Sequence, residues 1–270
     1  MNILRYISLL TVFTVSLTAQ PATPLYQAAR TLDVIRIDGQ LHEFTWAALP
    51  RVGRFRDIRH PQKPGASPTE AAMGWDDANL YVAFICIDRE PWGTLMARDS
   101  FLWQQEVVEV FLDPDGDGRH YAELEVSPHN VVVDLLIPGP PTAGADAAMA
   151  ARWNIEGLQT AVGKHAQGWT VEIAIPWEAL GEAGVSSAPR EGDRWRVGLY
   201  RIERPGAITR WKEQVELQRR AEEASGSEKA ALETRLAELQ EDSELLAWSP
   251  TRKSFHDPER FGTVVFVLEP

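Results

Sequence analysis

Ala71-Ala72-Met73-Gly74-Trp75-Asp76-Asp77-Ala78-Asn79-Leu80-Tyr81-Val82-Ala83-Phe84-Ile85-Cys86-Ile87-Asp88 is the stretch on which the fold turns. Two apolar, β-prone runs flank Asp76-Asp77-Ala78-Asn79, a short polar link of the composition that reverses a chain. An antiparallel hairpin is the expected result. A second hairpin follows the same logic, with Val107 to Leu112 and Tyr121 to Val126 joined through Asp113-Pro114-Asp115-Gly116-Asp117-Gly118-Arg119. Further strands are expected at Val131 to Leu136, Trp169 to Ile175, Trp195 to Glu203 and Gly262 to Val267. Ahead of them, Leu32 to Val52 reads as an extended lead-in with a turn at Asp38-Gly39 and Trp46 as its apolar anchor. Helices do not alternate with these strands, as a parallel sheet would require. The pattern predicts an all-β, two-sheet antiparallel β-sandwich of jelly-roll or immunoglobulin-like type.

One stretch breaks that pattern. Ile208 to Glu241 is dense in Glu, Gln, Arg, Lys, Ala and Leu and should be helical. Leu217, Ala221 and Ala224 repeat at helical spacing, as do Leu232, Leu236 and Leu239, with Ser225-Gly226-Ser227 between the two sets. The spacing predicts a helical hairpin inserted in the sandwich over 208–241. It would lie solvated on its own domain, or dock a protein partner. Pro138 to Ala151, rich in Pro, Gly and Ala, reads as a surface loop.

The first residues carry Arg5, an apolar stretch from Ile7 to Leu17, and Thr18-Ala19-Gln20, the three-part layout of a secretory signal cleaved after Ala19. The apolar stretch is shorter than the roughly 20 residues of a membrane span. The expectation is a signal peptide over 1–19 and one secreted or periplasmic domain over 20–270, with no membrane span after cleavage. A net charge of −12 argues against nucleic acid and other phosphate-rich partners and leaves neutral ligands and cations. Cys86 is the single cysteine, so no internal disulfide forms, and its apolar strand makes it a poor nucleophile.

From Ile37 to Val267 the chain resembles family 9 carbohydrate-binding modules and their stand-alone relatives in the wider DOMON-like superfamily. The residues that carry the resemblance are Ile37-Asp38-Gly39 with Trp46, Trp75-Asp76-Asp77 with Leu80-Tyr81-Val82, and Trp103 to Asp113 with Glu109 at its centre. After them come Gly168 to Trp177, Trp248-Ser249-Pro250, and Phe255-His256 through Gly262. The resemblance implies a β-sandwich that clamps a sugar, often at a chain end, between two aromatic side chains. Trp103 matches the first aromatic and Glu109 an acid that accepts hydroxyl hydrogen bonds. Phe255, followed by His256, stands where the family's second tryptophan falls. Glu125 and Ser127 stand where sugar-binding members carry an arginine and an asparagine.

The chemistry of these types fits a sugar, whose C–H face suits an aromatic platform and whose hydroxyl rim suits fixed polar groups. Residues 107, 109 and 111 share one strand face, so Glu109 is free to point into a cleft while Val108 and Val110 point away. For each residue a plainer role stays open: loop packing for Trp103, a solvated strand position for Glu109, and core and turn positions for Phe255 and His256. Asp113, Asp115, Asp117 and Gly118 read as the first half of a calcium loop, and the family binds structural calcium. Position 12 of that loop is Leu124, so Glu123 or Glu125 would have to complete it.

A glycosidase needs two carboxylates flanking one bond, and Glu106 and Glu109 fall on opposite faces of a strand. No nucleophile elbow or phosphate loop is present, and the chain reads as non-catalytic, serving polysaccharide breakdown through its sugar contact or as an accessory of an O-glycosyl hydrolase system. The alternative is a haem-binding or electron-transfer sandwich of the wider superfamily, for which Met73, Met96 and Met149 are the methionines after the signal.

Overall fold

The computed structural model describes residues 22–269 apart from 54, 63, 140–152, 240–242 and 253. The signal-like segment over 1–19, most of the Pro138–Ala151 loop and Met149 therefore lie outside the described residues. Among the described residues there are twelve strands: β1 (Leu25–Arg30), β2 (Arg56–Asp57), β3 (Thr69–Trp75), β4 (Asn79–Ile87), β5 (Val107–Asp113) and β6 (Tyr121–Val126), then β7 (Val132–Ile137), β8 (Gln159–His165), β9 (Gly168–Pro176), β10 (Arg194–Glu203), β11 (Glu244–Ala247) and β12 (Gly262–Val267).

These strands form one sheet. Its hydrogen-bonded order is β7-β6-β5-β10-β12-β1-β3-β4-β9-β8, with β11 attached to β10 and β2 to β11. The sheet curls on itself, because one apolar cluster holds Met73, Val82, Phe84, Val171 and Ile173 from one half and Val108, Val110, Leu124, Val197 and Leu199 from the other. The sandwich-like class stands. The expected pair of separate antiparallel sheets is corrected, for β1 runs parallel to both β12 and β3 and splices the two halves into one mixed sheet. Hydrophobic periodicity records which face of a strand is buried and carries no record of the direction of its neighbours, so that junction could not be read from it.

Each half also covers its outer face. The lead-in packs Trp46 and Ile35 on Ala72, Ala83 and Ala174, and includes the short helix α1 (Phe44–Ala48). The outer face of β5, β6, β7 and β10 carries a second cluster with Val107, Phe111, Tyr121, Val133, Leu135, Tyr200, Phe255 and Phe261. The inserted helices are α2 (Ala207–Glu223) and α3 (Gly226–Glu238), which pack on each other through Leu217, Ala221 and Leu232. Cys86 is fully buried, and burial pushes its thiol up to about 12.

Candidate functional site

Strand alternation sorts β5 into two faces. Val108, Val110 and Leu112 enter the main core, while Val107, Glu109 and Phe111 turn to the outer cluster. Antiparallel register then sets Glu125 of β6 directly across from Glu109, and Glu123 across from Phe111. Ligand oxygens of Glu109, Glu123 and Glu125 lie within 4.8 Å of one another. All three side chains are buried, at 2%, 4% and 0% exposure, so the like charges face each other with little solvent between them. Burial first and the neighbouring carboxylates second hold Glu109 and Glu125 well above the usual carboxylate range, and burial pushes Glu123 up to about 7. Glu123 Oε2 and both oxygens of Glu125 have no hydrogen-bond partner. The nearby backbone N–H of Trp103 lowers the pKa of Glu125, though its geometry falls short of a hydrogen bond.

Trp103 sits in a 3₁₀ turn (Leu102–Gln104) that packs on β6, beside Glu125. Its ring is half-buried against the outer cluster and lies 5.0 Å, centroid to centroid, from Phe101, which is 54% exposed. A partly open aromatic pair therefore stands on the turn whose backbone approaches Glu125. Phe255 is placed differently. It is buried, and its ring lies flat on Tyr200 at 4.2 Å and 11°, so at most one face remains for anything else. His256 Nδ1 shares a 2.8 Å hydrogen bond with the Tyr121 hydroxyl, and its Nε2 is 3.8 Å from Glu123 Oε2. Burial brings His256 down to about 4, which keeps the ring neutral. Ser127 Oγ accepts from the backbone N–H of His129 at 3.2 Å and of Val131 at 3.1 Å, a turn-closing duty between β6 and β7.

The Asp-rich loop folds around its own carboxylates. Asp113 accepts from the N–H of Gly116 and Gly118, Asp115 from Asp117 and Asp117 from Arg119, while one oxygen from each of Asp113, Asp115 and Asp117 lies within 4.8 Å of the others. Each oxygen retains a lone pair, and burial pushes Asp113 up to about 6, so the set fits a hard cation. Leu124 is buried in the main core, and Glu123 and Glu125 turn to Glu109. The expected substitute for a twelfth ligand is therefore engaged elsewhere.

The model of the family described as carbohydrate family 9 binding domain-like matches residues 37–268, nearly the whole described chain. The chain belongs to that family. Among solved structures, a family 9 carbohydrate binding module from Caldicellulosiruptor kristjanssonii in complex with cellotriose has a TM-score of 0.56 at 16% identity, covering 91% of this chain and 95% of that one. The same organism's module in complex with glucose gives a TM-score of 0.55 at 16% identity, over 91% and 97%. A crystal structure from Bacteroides uniformis gives 0.61 at 13% identity, over 91% and 100%. No curated protein matches.

Within this family 9-like domain, Glu106 and Glu109 serve different clusters. Glu106 joins Asp88 and Glu203 around the guanidinium of Arg201, which is fully buried, donates to Asp88 Oδ2 at 3.2 Å, pairs with Glu203 and lies over the Trp169 ring at 5.7 Å. Glu109 belongs to the trio. Sequence reasoning missed Glu123 as a member of that trio and Phe101 as the companion of Trp103. The first was legible, since Glu123 and Glu125 alternate on a strand whose other positions are apolar. The second was not, because a lone phenylalanine in a loop carries no periodic signal. Of the methionines, Met73 is fully buried in the main core and Met96 is 62% exposed.

Proposed function

We propose that this protein is a non-catalytic carbohydrate-binding module that receives a sugar ring on the Trp103 platform, with Phe101 beside it and the Glu109–Glu125 face at its edge. The observation that carries the reading is the half-open Trp103–Phe101 pair on the turn whose backbone approaches buried Glu125, in a family 9-like chain. Neighbours of this fold hold cellotriose and glucose, so neutral β-linked glucosides are the first ligands to try. Separation of Glu106 from Glu109 supports binding over hydrolysis, since no two carboxylates of this strand flank one bond. The signal-like first 19 residues support export to the periplasm or outside the cell, where such a module would serve polysaccharide breakdown. A structural calcium is proposed at Asp113, Asp115 and Asp117.

Calorimetry with cellotriose, glucose and a glycan panel tests the reading. Wild type should bind at least one of them, and Trp103→Ala should weaken it tenfold or more, a loss of about 1.4 kcal/mol. Unchanged affinity in that variant would remove Trp103 from the site.

A further inference from the structure

We infer that Glu109, Glu123, Glu125 and His256 form a binding site for one divalent metal ion. The argument shares Glu109 and Glu125 with the proposed sugar edge but needs no sugar, and it begins with the unsatisfied atoms. Three buried oxygens, Glu123 Oε2 and Glu125 Oε1 and Oε2, have no donor, which leaves their full desolvation penalty uncompensated. In the metal-free protein, one proton between Glu123 and Glu125 and a second between Glu109 and Glu125 would pair these oxygens, in keeping with the raised pKa values of the trio. A metal ion serves all three carboxylates at once.

The geometry suits such an ion. The carboxylate oxygens lie within 4.8 Å of one another, and opposite ligands at metal–oxygen distances of about 2.2 Å stand about 4.4 Å apart, so little contraction brings them onto one centre. Where Arg201 sits among Asp88, Glu106 and Glu203, this second trio faces an imidazole. His256 Nε2 is 3.8 Å from Glu123 Oε2, too far for a hydrogen bond, and lies outside the set of carboxylate oxygens within 4.8 Å, so the imidazole would have to shift toward the trio to join a shared ion. Nδ1 is engaged by the Tyr121 hydroxyl at 2.8 Å, the outer contact that orients a ligating histidine. Three carboxylates and one imidazole nitrogen select a zinc- or manganese-type ion over an all-oxygen calcium site.

An access route exists at the histidine. Its side chain is 25% exposed, and it lines a cleft of about 830 Å³ together with Asp117, Arg252, Asp257 and Glu259. Ions can therefore arrive from the His256 side without displacing Trp103.

The test uses the whole protein carrying Asp115→Asn and Asp117→Asn to silence the loop, stripped with chelator and titrated with Zn²⁺ or Mn²⁺ alone. One equivalent should bind and raise the Tm. Glu125→Gln should lose at least tenfold in metal affinity. Its metal-free Tm should match or exceed that of its parent, which shows that the variant folds. Absence of binding by both ions, or equal affinity in Glu125→Gln, would each overturn the site. Cellotriose binding measured on the chelated protein lets the sugar reading fail or stand separately.

Discussion

Glu106 and Glu109 are three residues apart, and the strand pleat sends them to clusters with opposite electrostatic solutions. Glu106 has Arg201 within its cluster, yet burial first and then Glu203 and Asp88 still push it up to about 9, while its Oε2 accepts the backbone N–H of Trp92 at 2.7 Å. Glu203 is pushed up to about 7 by burial, against the pull of Arg201 and with the help of Asp88 and Glu244. Both acids have raised pKa values in the folded chain, so the fold holds protons that the unfolded chain releases above about pH 4.5. Stability is accordingly spared below that point and declines as the pH climbs through 7 towards 9. Thermal unfolding between pH 5 and 9 should show that fall, and Glu106→Gln should flatten it, with a Tm at pH 9 higher than wild type by on the order of 5 °C. A variant whose pH slope equals wild type would clear Glu106 of the effect. At this scale the sequence was informative about faces, since alternation alone separated Glu106 from Glu109. It was silent about partners, because Arg201, Asp88 and Trp169 come from three other strands or strand ends.

The leading turn shows how an element is pinned from afar. Glu172 of β9 accepts three donors, the N–H of Asp38 at 3.1 Å, the N–H of Gly39 at 2.7 Å and the Trp46 indole N–H at 2.8 Å, so one carboxylate fastens the lead-in to the sheet. Gly39 has φ of 82°, and a Cβ there would come within 2.4 Å of the Gly163 backbone nitrogen in β8. Gly39→Ala therefore combines left-handed strain with a backbone collision that no side-chain rotation relieves. It should cost more than about 1 kcal/mol, read as a lowered denaturant midpoint at unchanged slope. A midpoint within error of wild type would mean that the turn is free to move off β8. Central strands were legible because their apolar runs end in Asp, Asn, Gly and Pro, and Tyr121–Val126 and Gly262–Val267 have the expected limits. β1, β8 and β11 were not. β8 is an edge strand whose residues are all partly or fully exposed, and β1 is placed by parallel partners at the far end of the chain.

Across the whole molecule, the position of the helical hairpin decides how much of the fold depends on it. Glu203, the last residue of β10, pairs with Glu244, the first of β11, so the two strands are already an antiparallel hairpin with α2 and α3 mounted at its tip. The helices bury Leu217, Ala221 and Leu232 against each other in a cluster of their own, apart from the three clusters of the sheet. Closing such a tip with a short turn lowers the loop-closure entropy and removes none of the sheet's apolar contacts. Joining Pro205 to Ser243 through two glycines should thus give a folded protein whose Tm lies within a few degrees of wild type and whose sugar and metal affinities are unchanged. Trp211 and Val215, at 43% and 49% exposure, mark one turn-spaced apolar stripe on α2. If that stripe docks a partner, association measured by sedimentation at rising protein concentration would be lost with the hairpin while ligand binding persists. Failure of the shortened chain to fold would instead assign the helices a structural duty that their separate core argues against.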